Sequence, residues 1–335
     1  MTTSAKPITV ISSSPRRLEQ VCSIAARALI EARTTPVWNE TGAELTAAEL
    51  EHRLADAEIL LTSWGTVPIT DAMLDAAPQL RVIAHAAGSV KTLVPASAFD
   101  RGITVVSGVG ALAEPVAEYC LAALLSLLRQ LPDLDRELRQ GIWSQSARRG
   151  HSLRRRRIGL VSASTTARAF LRLLAPFEPI VTVYDPYLDA ASASALGVRL
   201  GSLDDVMACE IVSVHAPVTP QTRGLVTREY LASCADGTVF LQTSRPAVVD
   251  QQALFDELAS GRLIGAMDVY DDEPVDLPDA VRRSPHALFT PHVAGDTVEG
   301  RLRLMESVLE IALAWLDTGE KRPGVVTKAA WEITA

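Results

Sequence analysis

Ile158-Gly159-Leu160-Val161-Ser162-Ala163-Ser164-Thr165-Thr166-Ala167-Arg168 is the stretch on which the fold turns. An apolar, strand-like run ends in a polar turn, and an apolar-faced helical stretch follows. In that order the first amides of the helix are free to receive an anion, which is how a βαβ unit holds a pyrophosphate. The positions that are glycine in a Gly-x-Gly-x-x-Gly loop are here Ser162, Ser164 and Ala167. If the first requires positive φ, a Cβ there costs about 1–2 kcal/mol, and a side chain at the second holds a pyrophosphate off the amides. Serine hydroxyls can donate to phosphate instead; a purely structural turn is the alternative.

Outward from this stretch the chain alternates short strand-like runs with amphipathic ones, the pattern of a parallel sheet with helical crossovers. Downstream, strands are expected at Ile158–Val161, Ile180–Tyr184, Ile211–Val214, Val239–Thr243, Gly265–Val269 and Leu288–Thr290, six in one series. Upstream they are expected at Ile8–Ile11, Ile59–Thr62, Arg81–Ala84 and Ile103–Val106, with helices over Leu18–Glu31, Ala47–Ala55 and Ile69–Ala76. A long helix over Val116–Leu138 bridges the two series, and another runs from Thr297 to Asp317. Val325-Val326 then returns to the first domain. The expected fold is α/β: two Rossmann-like domains with doubly wound parallel sheets, the first discontinuous (1–112 and 300–335), the second 113–299.

At 335 residues, two hydrophobic cores are expected. The longest apolar stretches, such as Cys120–Leu125 and Leu263–Ala266, fall short of a bilayer span. The first eleven residues lack the features of a secretory signal, so a cytoplasmic protein is expected. Four scattered cysteines suggest neither a disulfide framework nor a metal site. A net charge of −8 argues against nucleic acid as partner. The one basic cluster, Arg148, Arg149 and Arg154 to Arg157 around His151, reads as a solvated loop leading into a strand, with a phosphate or acidic partner as the alternative.

Three segments each place a reactive residue at the carboxyl end of an expected strand, where doubly wound sheets bind ligands. They are Gln242-Thr243-Ser244-Arg245-Pro246, Met267-Asp268-Val269-Tyr270-Asp271-Asp272-Glu273-Pro274 and Phe289-Thr290-Pro291-His292-Val293-Ala294-Gly295. Asp185, ending Val183-Tyr184-Asp185, lies 23 residues beyond Ser162, near the spacing of a carboxylate that accepts ribose hydroxyls. Its charge opposes a 2′-phosphate, which favours NAD over NADP.

In order and context these segments resemble the D-isomer-specific 2-hydroxyacid dehydrogenase family, whose members include phosphoglycerate, formate and glyoxylate-reducing enzymes. Arg101-Gly102-Ile103, Val116-Ala117-Glu118, Trp143 and His215-Ala216-Pro217 extend the resemblance. It implies an oxidoreductase moving a hydride between NAD(H) and C2 of a small D-2-hydroxy or 2-oxo acid, with Arg245, Glu273 and His292 as catalytic residues. It implies cofactor contacts from Ser162, Ser164, Thr165, Thr166, Ala167 and Asp185. Further contacts are implied from His215, Pro217, Thr222, Thr243, Ser244, Asp268 and Gly295, and substrate contacts from Gly88, Ser89 and Lys91. A homodimer is also implied.

The chemistry supports these roles: a ketone oxygen needs a proton carrier near neutral pKa, which suits His292, and a carboxylate such as Glu273 fixes the imidazole tautomer. The Arg245 guanidinium matches a substrate carboxylate in bidentate geometry. Three departures stand against the family pattern: the missing glycines, Lys91 where an Asp is usual, and Pro246 where a Gly is usual. They leave a catalytically weak or inactive ligand- or partner-binding protein as the alternative.

Overall fold

A computed structural model describes residues 6–143, 150–284 and 286–333. The chain divides into two compact units, Met1–Leu112 with Asp296–Ala335, and Ala113–Gly295. The first begins with β1 (Ile8–Ile11), α1 (Pro15–Val21), α2 (Ile24–Arg33), β2 (Thr35–Trp38), α3 (Ala47–Arg53) and β3 (Ile59–Thr62). It continues through α4 (Asp71–Asp75), β4 (Val82–His85), α5 (Ala96–Asp100) and β5 (Thr104–Ser107). There follow α6 (Val109–Leu128), α7 (Leu131–Arg139), β6 (Arg157–Val161), α8 (Thr165–Leu174), β7 (Ile180–Tyr184), α9 (Ala190–Ala195) and β8 (Arg199–Leu200). The second unit is completed by α10 (Leu203–Met207), β9 (Ile211–Val214), α11 (Arg228–Ser233), β10 (Val239–Gln242), α12 (Gln251–Ser260), β11 (Ile264–Met267), α13 (Asp279–Arg282) and β12 (Ala287–Phe289). The chain closes on the first unit with α14 (Val298–Leu302), α15 (Leu304–Thr318), β13 (Val325–Val326) and α16 (Lys328–Ile333).

The first sheet runs β13-β5-β4-β3-β1-β2, parallel except for β13, which is antiparallel to β5; the second runs β12-β11-β10-β9-β6-β7-β8, parallel throughout. Both are α/β sheets covered on two faces, so their central strands are continuously apolar rather than alternating. In the second unit, Leu160, Val183 and Leu241 face one apolar cluster, and Val161, Val214 and Phe240 the other. Gly159 lets β6 pack against α10, since a Cβ would stand 2.4 Å from the Val206 carbonyl oxygen. The strand order reverses between β6 and β9, which opens a crevice at their carboxyl ends.

Local chemistry divides elements that periodicity joins. The expected helix over Leu18–Glu31 is two, because the Ser23 hydroxyl caps α2 by accepting from the Ala26 amide at 3.0 Å. The expected Val116–Leu138 helix breaks at Gln130, which is left-handed (φ 55°), and α7 starts afresh at Leu131 with Pro132 in its first turn. Strands β2 and β8 went unread: they are short and partly exposed, and β2 contains Pro36. α6 is long and apolar enough, by length and composition, to cross a membrane, although the apolar stretches of the sequence are shorter. Eight of its residues are buried in the protein core. The arginine run is charge-paired: Arg154 and Arg155 with Glu178, Arg156 and Arg157 with Glu210. Arg148 and Arg149 lie outside the described residues.

Candidate active site

β10, β11 and β12 are adjacent, so the segments that follow them emerge side by side. His292 Nδ1 and Glu273 Oε2 lie 2.7 Å apart, with both side chains part exposed. The other Glu273 oxygen accepts from the Tyr270 amide at 3.1 Å, which fixes the carboxylate. With Nδ1 donating to Glu273, Nε2 is the nitrogen left to exchange a proton.

The backbone that carries His292 is left-handed (φ 55°) and is held on both sides by buried Asp268. The Asp268 carboxylate accepts from Thr290 Oγ1 at 2.6 Å and from the amides of Val293 and Ala294, both at 2.8 Å. Tyr119 Oη, on α6, joins Thr290 Oγ1 at 2.6 Å; burial pushes the phenol pKa up to about 12, so it is neutral at ordinary pH. Gly295 closes this segment. Arg245 is half-buried, and the desolvation pulls its guanidinium below the ordinary value while Glu273 opposes the shift. Its Nη1 donates to the Ser244 carbonyl at 2.8 Å, and its own carbonyl accepts from Gln242 Nε2 at 2.9 Å.

The turn after β6 retains a glycine-like path without glycine. Ser162 has φ 78°, its hydroxyl donates to Asp185 Oδ2 at 3.1 Å, and the Ala163 amide donates to the same oxygen at 2.8 Å. Asp185 Oδ1 accepts from the Tyr187 amide at 2.9 Å. Ser164 is the N-cap of α8, its Oγ accepting from the Ala167 amide at 3.4 Å. Helix geometry leaves the Thr165 and Thr166 amides without intrahelical acceptors. A carboxylate at the end of β7 and free amides at the start of α8 suit the ribose and diphosphate of a dinucleotide, so the residues present fit that cofactor.

The other expected contacts differ in depth: His215 and Thr243 are buried, whereas Pro217 and Ser89 are exposed. His215 is buried, its Nε2 2.9 Å from Ser213 Oγ, and burial pulls its pKa down to about 4. The Pro217 carbonyl accepts from the Thr222 hydroxyl at 2.6 Å. Thr243 Oγ1 lies 3.3 Å from the Cys120 thiol, and Ser244 Oγ donates to Gln242 Oε1 at 3.2 Å. In the first unit the Gly88 carbonyl accepts from Ser107 Oγ at 2.5 Å and Ser89 Oγ from the Lys91 amide at 3.3 Å. The Lys91 ammonium donates to the Trp331 carbonyl at 2.8 Å and sits 3.8 Å from that ring's centroid.

Residues 121–294 match the family profile described as D-isomer specific 2-hydroxyacid dehydrogenase, NAD binding domain. The chain belongs to the D-isomer specific 2-hydroxyacid dehydrogenase family. Within that family it is 30% identical over 282 residues to glyoxylate reductase of Korarchaeum cryptofilum, covering 82% of this chain and 84% of the relative. It is 33% identical over 258 residues to D-3-phosphoglycerate dehydrogenase of Mycobacterium tuberculosis, covering 76% of this chain and 48% of the relative. The chain thus spans about half the length of the mycobacterial relatives it matches. Among solved structures, a phosphoglycerate oxidoreductase from Rhizobium etli superposes with a TM-score of 0.80 at 28% identity, covering 96% of this chain and 98% of the other.

Sequence reasoning missed Tyr119, Thr290 and Gln242. Gln242 and Thr290 lie inside the quoted motif segments and brace Arg245 and Asp268 through their side chains, while Tyr119 braces Thr290 from α6, outside any motif. For Gln242 and Thr290 the available signal was their place in those segments, and for Tyr119 its place in the expected Val116–Leu138 helix.

Proposed function

We propose that this family member is an NAD-dependent oxidoreductase that reduces a small 2-oxo acid to the D-2-hydroxy acid, or runs the reverse reaction. The observation that carries the reading is the His292–Glu273 pair at 2.7 Å near the half-buried Arg245, on adjacent strand ends of an NAD-binding domain. Bound NADH supplies the hydride to C2. Arg245 orients the substrate carboxylate and polarises the neighbouring carbonyl. His292 delivers its Nε2 proton to the carbonyl oxygen as the alcohol forms, and Glu273 stabilises the imidazolium and fixes its tautomer. In the oxidative direction the same nitrogen takes the hydroxyl proton. Asp185 favours NAD over NADP, because a carboxylate repels a 2′-phosphate.

On the family pattern, Gly88 and Ser89 amides are further donors to the substrate carboxylate, and Lys91 belongs to that loop. The same pattern assigns the substrate role to the unit made of residues 1–112 and the C-terminal return. A homodimer is supported by apolar side chains exposed on and after α7, namely Leu131, Leu138, Ile142 and Trp143. A cytoplasmic setting is supported by four unpaired cysteines. The negative net charge and the acid-paired arginines support a small-molecule ligand over a polyanion. The test is titration of the purified protein with NADH and NADPH, followed by fluorescence. Saturable binding that prefers NADH is expected; absence of binding for both at millimolar concentration removes the dehydrogenase reading.

A further inference from the structure

We propose that the two serines of the turn after β6 divide the work of the missing glycines: Ser162 holds the turn, and Ser164 is a hydroxyl ligand for the cofactor's diphosphate. The inference rests on the dinucleotide reading and concerns how this chain meets a phosphate group without the usual close backbone approach.

The two hydroxyls are in different states. The Ser162 proton is spent, since its Oγ donates to Asp185 Oδ2 at 3.1 Å, beside the Ala163 amide on the same oxygen. Arg168 Nε reaches back to the Ala163 carbonyl at 2.9 Å, so the left-handed turn is secured from both sides. Ser164 is placed differently. Its Oγ acts as an acceptor, capping the Ala167 amide at 3.4 Å, and its carbonyl takes the Arg168 amide at 2.9 Å. A hydroxyl that accepts through a lone pair still has one proton to give. Among the described residues, the Ser164 proton has no acceptor.

Ser164 is partly exposed and stands at the positive end of a ten-residue helix, next to the unpaired Thr165 and Thr166 amides. The set is therefore one hydroxyl and two amides, all donors, in the domain that matches an NAD-binding family profile and across the strand end from Asp185. An anionic diphosphate supplies the acceptors this set lacks. The cap contact also benefits: a hydroxyl that donates to phosphate while accepting from Ala167 becomes a better acceptor, because polarised hydrogen bonds reinforce each other. The side chain that displaces the backbone from the phosphate thus replaces the contact it removes.

The experiment is calorimetric titration of wild type, Ser164→Ala, Ser164→Gly, Ser164→Thr and Ser162→Ala with NADH and with ADP, alongside Tm without ligand. ADP carries the diphosphate without the nicotinamide. Loss of one charge-assisted hydrogen bond raises Kd about tenfold for both probes in Ser164→Ala. Ser164→Thr, which keeps the hydroxyl, restores binding to within about threefold, well short of that tenfold loss. Ser162→Ala acts on Tm more than on Kd. Because glycine is itself tolerated at an N-cap, Ser164→Gly keeps the helix start intact and separates loss of the ligand from loss of the cap. If wild type binds NADH and both Ser164→Ala and Ser164→Gly bind it equally or more tightly, Ser164 is an obstacle and the assignment is overturned. If wild type binds neither probe, the dinucleotide reading falls and this assignment with it.

Discussion

Two turns at the carboxyl edge of the second sheet are built alike and used differently. After β6, Ser162 takes a left-handed φ, and the following amide is received by Asp185 at the end of β7. After β12, His292 takes a left-handed φ, and the two following amides are received by Asp268 just after β11. In both, a carboxylate after one strand accepts amides from the turn after its neighbour. That offsets a backbone strain of about 1–2 kcal/mol that glycine would avoid. The difference is where the side chain goes. Ser162 turns onto its own anchoring carboxylate, whereas His292 turns to a second carboxylate, Glu273. One turn uses its side chain for shape; the other anchors its backbone on one acid and its side chain on another, and on the proposed reading that separation leaves the Nε2 of His292 for the substrate.

The sharpest way to break this contrast is His292→Ala. On the proposed reading, loss of a positioned proton carrier lowers kcat by roughly 10²–10⁴-fold, while NADH affinity, assigned to the other turn, stays near wild type. Steady-state kinetics beside a binding titration decide it. A parallel loss of cofactor binding would mean that the two turns are not separate in function.

Next in size is the acid limb of stability, to which each unit contributes one buried imidazole. His85, 2.9 Å from Thr62 Oγ1, and His215 are both held neutral by burial, with pKa values near 4 against 6.5 when exposed. A depressed histidine pKa gives stability that is complete above pH 6.5 and lost as pH falls toward 4. The loss is about 3 kcal/mol per residue at its full extent. Tm measured from pH 7 to 4.5 falls steeply in wild type and less so in His215→Gln or His85→Gln. An unchanged slope in both variants would show that other groups govern acid unfolding.

Asp268→Asn tests the anchoring acid itself. An amide cannot receive the Thr290 hydroxyl and both backbone amides as a carboxylate does, so a loss of about 2 kcal/mol in unfolding free energy is expected. Activity falls with it because the His292 segment loosens. Denaturation and turnover measured on the same sample check this; wild-type values for both would remove Asp268 as the anchor. The smallest effect belongs to Ser162→Gly, where relief of the left-handed strain and loss of the hydroxyl contact to Asp185 nearly cancel, within about 1 kcal/mol. A larger loss by denaturant titration would mean that the hydroxyl contact outweighs the strain.

Most of the architecture was legible because parallel strands covered on both faces are written as short apolar runs. Ile59–Thr62, Ile180–Tyr184 and Ile211–Val214 are strands over the expected residues. What escaped reading was set by side-chain hydrogen bonds and edge positions. The Ser23 cap that splits one helix and the left-handed Gln130 that splits another leave no mark in apolar periodicity. Edge strands Thr35–Trp38 and Arg199–Leu200 bury too little to show a pattern. At the site, the motif segments revealed the His292–Glu273 pair. The Tyr119–Thr290–Asp268 chain joins residues 171 and 22 positions apart and becomes visible only in three dimensions.

The proposed role of His292 as proton carrier in hydride transfer is tested most directly by following NADH oxidation with purified wild type and His292→Ala across glyoxylate, hydroxypyruvate and bulkier 2-oxo acids. Saturable turnover of at least one acid by wild type, abolished in the variant, is the predicted result. NADH that binds wild type yet is oxidised by none of these acids, or is oxidised equally fast by His292→Ala, would contradict it.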